Sequence, residues 1–292
     1  MSPSRIAVLT TLAILAISGN SMLCRIALKS TGIDAATFTT VRLLSGAMML
    51  GLLLRVRGAT AGEGNWTSAL ALFAYAAAFS FAYVNLPLAT GALLLFGAVQ
   101  VTMIGHGIWA GERLRALQMA GLALAAGGLI ALLLPGLSAP PLFGSLLMLL
   151  SGVAWGIYSL RGRGAGDPTA VTAGNFMRAA PMTVVLSAFM HAQFVLDNAG
   201  IWYAMISGAL TSALGYIVWY AVLPKLKSSQ AATVQLSVPV VVAIGGIVFL
   251  GESLSARVVV ASVTILGGVA LVMLNKQSPP SARPAGDCSL HT

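Results

Sequence analysis

Read from the N-terminus, the chain alternates long apolar runs with short polar breaks. Runs at about 6–28, 36–55, 66–83, 88–110, 116–134, 142–160, 170–190, 200–221, 229–250 and 257–275 are separated by charge, glycine or proline. Each approaches the roughly 20 residues that a helix needs to cross a bilayer. The pattern predicts ten transmembrane helices, with connections of about five residues that force antiparallel neighbours.

The runs are also written twice. The phrase "WAGERL" at 109–114 returns as "FLGESL" at 249–254, and the offset of 140 that aligns Glu112 with Glu252 also lays Gly127 and Gly128 on Gly267 and Gly268. With small gaps, "YVNLP" from Tyr83 matches "YAVLP" from Tyr220, Arg42 matches Arg178, and "SGN" from Ser18 matches "WGI" from Trp155. Five spans per half is an odd number, so the second half enters from the opposite face. The expected architecture is an all-α integral membrane protein whose ten helices form two inverted repeats, 1–137 and 138–275. The proline-rich, polar stretch 276–292 reads as a disordered cytoplasmic tail. Gly111 and Gly251 are expected to end helices in the left-handed conformation, leaving Glu112 and Glu252 to favour the N-terminus of the following helix.

Composition agrees. The 292 residues are 58% hydrophobic and 8% charged, against roughly 25% charged in a soluble domain, and mean hydropathy is +0.92. The net charge of +9 comes from basic residues scattered over short connections, which argues against nucleic acid as a partner. Cys24 and Cys288 make no disulfide framework. The start, "MSPSRIAVLTTLAILAISG", has the outline of a secretory signal, but its counterpart in the second half makes it a retained span.

Alternate connections share a side. One side holds Arg5, Arg55, Arg57, Arg113, Arg115, Arg161, Arg163, Lys225, Lys227, Lys276 and Arg283; the other holds Lys29 and Arg257, plus Arg25 if the first helix ends early. The positive-inside rule therefore predicts cytoplasmic termini, and the sequon at Asn65 falls on the wrong side for glycosylation.

Together, the helix-ending "GE" pairs, the "GG" pairs in spans five and ten, and "SVPVVVAIGGIVFLGESL" in span nine resemble the drug/metabolite transporter superfamily, specifically its ten-helix EamA-type exporters. The resemblance runs over about residues 5–275. It implies a multi-pass cell inner-membrane protein that exports small metabolites by alternating access, with amino-acid exporters of the YddG type as the nearest members. The first span reads "ISGN" where many members carry tryptophan-glycine.

Several residues are candidates for lining a central cavity. Pro239 near the middle of span nine cannot donate to the Gln235 carbonyl, which predicts a kink with a free acceptor, and Gln235 and Ser237 add polar groups at that depth. Gln100 and Asn20 are amides inside spans, where each needs a partner or water. Tyr75 with Phe79, the face Ser151–Trp155–Tyr158, and Tyr216 with Trp219 supply aromatic surface for an aromatic or aliphatic substrate. Tyr83 and Tyr220, near span ends, read as interfacial anchors. Arg42 and Arg178 lie inside spans two and seven and read either as snorkelling side chains or as gate contacts on opposite faces.

No Asp or Glu falls inside a span, which removes the usual carrier of proton coupling and favours facilitated or weakly coupled movement. Multidrug pumps with a first-helix glutamate are not matched. Histidines at 106, 191 and 291, with no HExxH and no buried acid pair, argue against an embedded enzyme, a metal or a cofactor. A channel is distinguished by flux that neither saturates nor shows counterflow. The reading is an exporter, most plausibly of aromatic or hydrophobic amino acids, with other metabolites or drugs as the alternative and a monomer sufficient.

Overall fold

In a computed structural model, the apolar runs form helices packed side by side. The structure describes residues 2–59, 63–109, 116–134, 139–163, 165–190, 195–225, 235 and 237–274. Among them are ten helices and no strand: α1 (Pro3–Ser30), α2 (Ala35–Val56), α3 (Trp66–Asn85), α4 (Leu88–Trp109), α5 (Ala116–Leu133), α6 (Leu142–Gly162), α7 (Pro168–Phe189), α8 (Asn198–Lys225), α9 (Ser237–Leu250) and α10 (Ala256–Leu274).

Seven helices, α1 to α6 and α8, are long and apolar enough to cross a membrane. That is fewer than the ten expected. α7 is diluted by threonines, Asn175 and Arg178, while α9 and the apolar part of α10 are short over the described residues.

Scarce acids are used at helix ends, where free N–H groups need acceptors. Asp34, Asp167 and Asp197 cap α2, α7 and α8 by accepting from Thr37, Ala170 and Gly200 at 2.8–2.9 Å. Asn65, the sequon residue, caps α3 by accepting from Ser68 N at 2.9 Å. Gly251 takes φ +61° and its N–H donates to the Ile247 carbonyl, so α9 ends as expected. Glu252 does not cap α10, the following helix. Its Oε2 instead accepts from Leu88 N at 2.6 Å, at the start of α4. Glu112 lies outside the described residues.

α2 packs on α7 and α5 on α10, while the packing of α3 on α6 is matched by that of α8 on α1. Small residues let the backbones approach, as expected where lipid supplies no hydrophobic drive between helices. A Cβ on Gly128 would stand 3.0 Å from Ile265 and Thr264, and one on Gly268 would stand 2.5 Å from the Gly121 carbonyl and 2.6 Å from Ala125 N. Gly127 and Gly267 face nothing within 4 Å. Only the second glycine of each pair therefore makes the α5–α10 contact. Gly268→Leu is expected to destabilise the purified protein by about 1–3 kcal/mol through overpacking, while Gly267→Leu leaves the melting temperature unchanged. Thermal unfolding of both variants in detergent checks this.

Exposed Trp66 and Trp109 stand at one end of the bundle and Trp202 at the other, as an interfacial belt requires. Tyr83 and Tyr220 are instead buried, which corrects their reading as anchors. Tyr83 lies over Gly91 and Tyr220 over Gly162, each ring filling the space of a missing side chain.

Gln235 is helical and Pro239 lies in the described part of α9, while 226–234 and 236 fall outside the described residues. Pro181 also lies inside a helix, α7. In α8, residues Ser207–Leu214 are π-helical between two α-helical stretches.

Candidate functional site

Arg42 is fully buried and does not snorkel. Its guanidinium reaches inward from α2 to hydroxyls on two other helices. Nε donates to Ser212 Oγ at 3.0 Å, and Nη2 donates to the hydroxyls of Tyr75 and Tyr216 at 3.1 Å each. The charge also lies 5.2 Å from the centre of the Tyr75 ring and 5.3 Å from that of Phe79, within cation–π range. Its Nη1 has no hydrogen-bond partner among the described residues.

The hydroxyl of Tyr75 is the hub. Asn20 Nδ2 on α1 donates to it at 3.0 Å, and the Tyr216 hydroxyl lies 3.2 Å away. Asn20 Oδ1 in turn accepts from Ser207 Oγ at 2.7 Å. Ser207 and Ser212 both belong to the π-helical stretch of α8, whose wider turn presents them towards the same network. Gly208 lies so close to α2 that a Cβ there would strike the Arg42 carbonyl.

Aromatic rings wall the hub. Trp155 on α6 lies 4.9 Å from Tyr75 and 4.7 Å from Tyr216, and Phe176 on α7 lies 6.0 Å from Tyr216. Tyr158 continues the wall at 5.8 Å from Trp155. Ser151, one turn before Trp155, donates to the Tyr75 carbonyl at 3.0 Å and so fixes this face of α6 against α3.

The structure thus brings together Asn20, Tyr75, Phe79, Trp155, Tyr158 and Tyr216 and adds Arg42, which the sequence left between snorkelling and a gate contact. Gln100 sits elsewhere, beside a small void between α4, α5 and α10, with both amide atoms unpartnered among the described residues. Gln235 and Trp219 are buried, each with one unpartnered polar atom, Pro239 is buried and Ser237 is exposed. No hydrogen bond or ring contact among the described residues ties Gln100, Trp219 or Pro239 to the cluster.

A second constellation closes one end of the bundle. Arg25, which α1 carries inside its last turns, donates from Nε to Glu252 Oε1 at 3.0 Å and from Nη1 to the carbonyls of Tyr83 and Val84 at 2.8 and 3.0 Å. Lys29 lies 3.9 Å from the same carboxylate. One carboxylate thereby joins α1, the end of α3, the start of α4 and the end of α9. Sequence reasoning missed Arg25, although a lone glutamate at that face needed a cation.

At the other end, Arg161 donates to Ser68 and Asn65, Arg57 to Thr169, and Arg178 to the carbonyls of Glu63 and Gly174. Arg178 therefore holds a loop, and its surroundings are unlike those of Arg42. The described residues contain no group of three acids, cysteines or histidines able to hold a metal ion.

Residues 142–274 match the EamA-like transporter family. Over 275 residues the chain is 58% identical to an uncharacterised protein of Pseudomonas aeruginosa, covering 94% of this chain and 96% of that one. It is 25% identical over 133 residues to the uncharacterised transporter YoaV of Bacillus subtilis, covering 44% of this chain and 46% of that one. A solved crystal structure of a protein superposes with a TM-score of 0.64 at 20% identity, over 94% of this chain and 99% of the other, a likeness of fold.

Proposed function

Because the chain belongs to the EamA-like transporter family, we propose that it exports small metabolites by alternating access, with aromatic and apolar amino acids as its first candidate substrates. The observation that carries this reading is the buried polar cluster walled by rings, centred on Arg42, Tyr75 and Tyr216 near the middle of the bundle, with an ion-pair latch closing one end. Aromatic faces accept an apolar body, and the hydroxyls and amide orient its polar end.

Ten spans in two inverted repeats, 1–137 and 138–275, are part of this reading. It is supported by contacts that map onto each other at the 140-residue offset: Gly128 against Ile265 and Gly268 against Ala125. The charge partition supports cytoplasmic termini, a cell inner-membrane location and a latch on the outer face. Alternating access then amounts to rocking one half against the other about the cluster. A monomer suffices, and neither cofactor nor nucleic acid enters.

Leu196→Cys and Ala59→Cys test the orientation. Both residues are exposed, and alternate connections place them on opposite faces. The first is expected to react with an impermeant thiol reagent on intact cells and the second to be protected; the reverse pattern inverts the topology. The transport reading itself is tested in proteoliposomes. Preloaded phenylalanine, leucine or a related metabolite is expected to drive saturable counterflow of its labelled form. Flux that neither saturates nor exchanges indicates a channel, and no flux removes the reading.

A further inference from the structure

We infer that Arg42 is the anchor for a substrate carboxylate, so that this carrier recognises small monocarboxylates with an aromatic or apolar body through their acid group and not through an amine. The inference deepens the transport reading and rests on it for the route by which ligand reaches the site.

A guanidinium taken out of water is costly unless an anion or a full set of acceptors meets it. Arg42 has neither. Each of its hydrogen bonds goes to a neutral hydroxyl, and Nη1, with two N–H groups, has no acceptor among the described residues. The described acids Asp34, Asp167, Asp197 and Glu252 are committed to helix caps and the latch, and Glu63 lies in the loop before α3, with its carbonyl bound by Arg178. Among the described residues, the Arg42 charge therefore lies in the interior with no acidic partner. A purely structural role is poorly served by this arrangement, because a leucine or methionine would pack against the same rings without the charge.

The surroundings specify the ligand. One cation balances one negative charge, which suits a monocarboxylate better than a phosphate dianion. Arginine offers a planar fork that matches a carboxylate. Tyr75, Phe79 and Trp155 supply ring surface next to that fork. An ammonium group finds only neutral oxygens here, such as Asn20 Oδ1, itself already accepting from Ser207. Without ligand, the hydroxyls of Tyr75, Tyr216 and Ser212 hold the guanidinium. When the halves move, a carboxylate takes Nη1 and displaces one of those weaker neutral acceptors.

Binding is measured on the purified full chain in detergent by tryptophan fluorescence, to which Trp155 at 4.7 Å from Tyr216 contributes. The probes are phenylpropanoate, phenylalanine, phenylalanine amide and phenethylamine. The two acids are expected to bind at least about tenfold more tightly than the amide and the amine, the scale of one charge-assisted hydrogen bond. Arg42→Gln is expected to abolish that preference, and Arg42→Lys to keep part of it, with folding of each verified by melting temperature. If Arg42→Gln fails to fold, the probe series on the wild-type protein still decides. Equal binding of amide and acid, unchanged acid binding in a folded Arg42→Gln protein, or no binding of any probe overturns the inference. Acid-selective binding without counterflow keeps the anchor and removes the carrier reading, whereas counterflow of the amine alone does the opposite.

Discussion

On the proposed alternating-access reading, replacing Glu252 by glutamine is expected to leave the protein folded but to slow transport by at least about tenfold, because the state closed at this end loses a stabilising contact worth more than roughly 1.4 kcal/mol. Glu252 is the point at which Arg25, Lys29 and the first N–H of α4 converge. Breaking a fully buried pair costs about 3–5 kcal/mol. The pair here retains slight exposure, with side chains 11% and 10% accessible, and glutamine preserves one acceptor, so the smaller figure is expected. The loss falls on one conformation, since separating these ends of α1 and α9 would part Arg25 from Glu252 in any case. A cysteine at Thr90 reports this, because Thr90 is buried yet lines a cavity of about 310 Å3 that also touches Glu252. Faster labelling from outside in the glutamine variant, together with slower counterflow, supports the latch. Unchanged labelling and unchanged flux would make the ion pair incidental.

Tyr75→Phe is expected to cost about 2 kcal/mol in stability and most of the transport activity. Interhelical hydrogen bonds in membranes average only about 0.6 kcal/mol. This one oxygen, however, faces Asn20, Arg42 and Tyr216 together, and one of those donors is charged. Removing it leaves buried donors unmet at about 1–3 kcal/mol each before relaxation, so the estimate exceeds that for an average bond. The ring stays, and with it the packing against Phe79 and Trp155. Tyr216→Phe removes one acceptor from Arg42 without touching Asn20, and a smaller loss is expected. Melting temperatures of the two variants, measured beside their counterflow rates, check the order; equal losses would mean that Tyr75 is no hub.

The helices were legible because lipid imposes their length and apolarity. Length, apolarity and the spacing of glycines are one-dimensional properties, and the second glycine of each pair makes the α5–α10 contact. The face carrying Ser151, Trp155 and Tyr158 was legible for the same reason, since residues three and four apart share a side. Arg42 was not. A long basic side chain inside a span reads equally as snorkelling outwards or reaching inwards, and the choice depends on hydroxyls contributed by α3 and α8. The role of Glu252 was half legible: its glycine ends α9 as expected, but which helix it caps is a matter of tertiary neighbours. The non-α stretch of α8 left no mark, because "SGALTSAL" suits an ordinary helix as well.

That stretch has an evolutionary consequence. Where hydrogen bonds run five residues back instead of four, a helix absorbs about one extra residue per turn without a loop. The phase of everything downstream depends on it. Relaxing Ser207–Leu214 to α-geometry at unchanged length would turn Tyr216, Trp219 and Tyr220 by roughly 100° about the helix axis, carrying the Tyr216 hydroxyl away from Arg42. A single-codon deletion that closes the wide turn would instead keep that phase and leave the inner wall of the cluster in place. Relatives one residue shorter at this point are expected to be α-helical there and to present the same wall, whereas relatives of equal length that lack the wide turn are expected to present a different one.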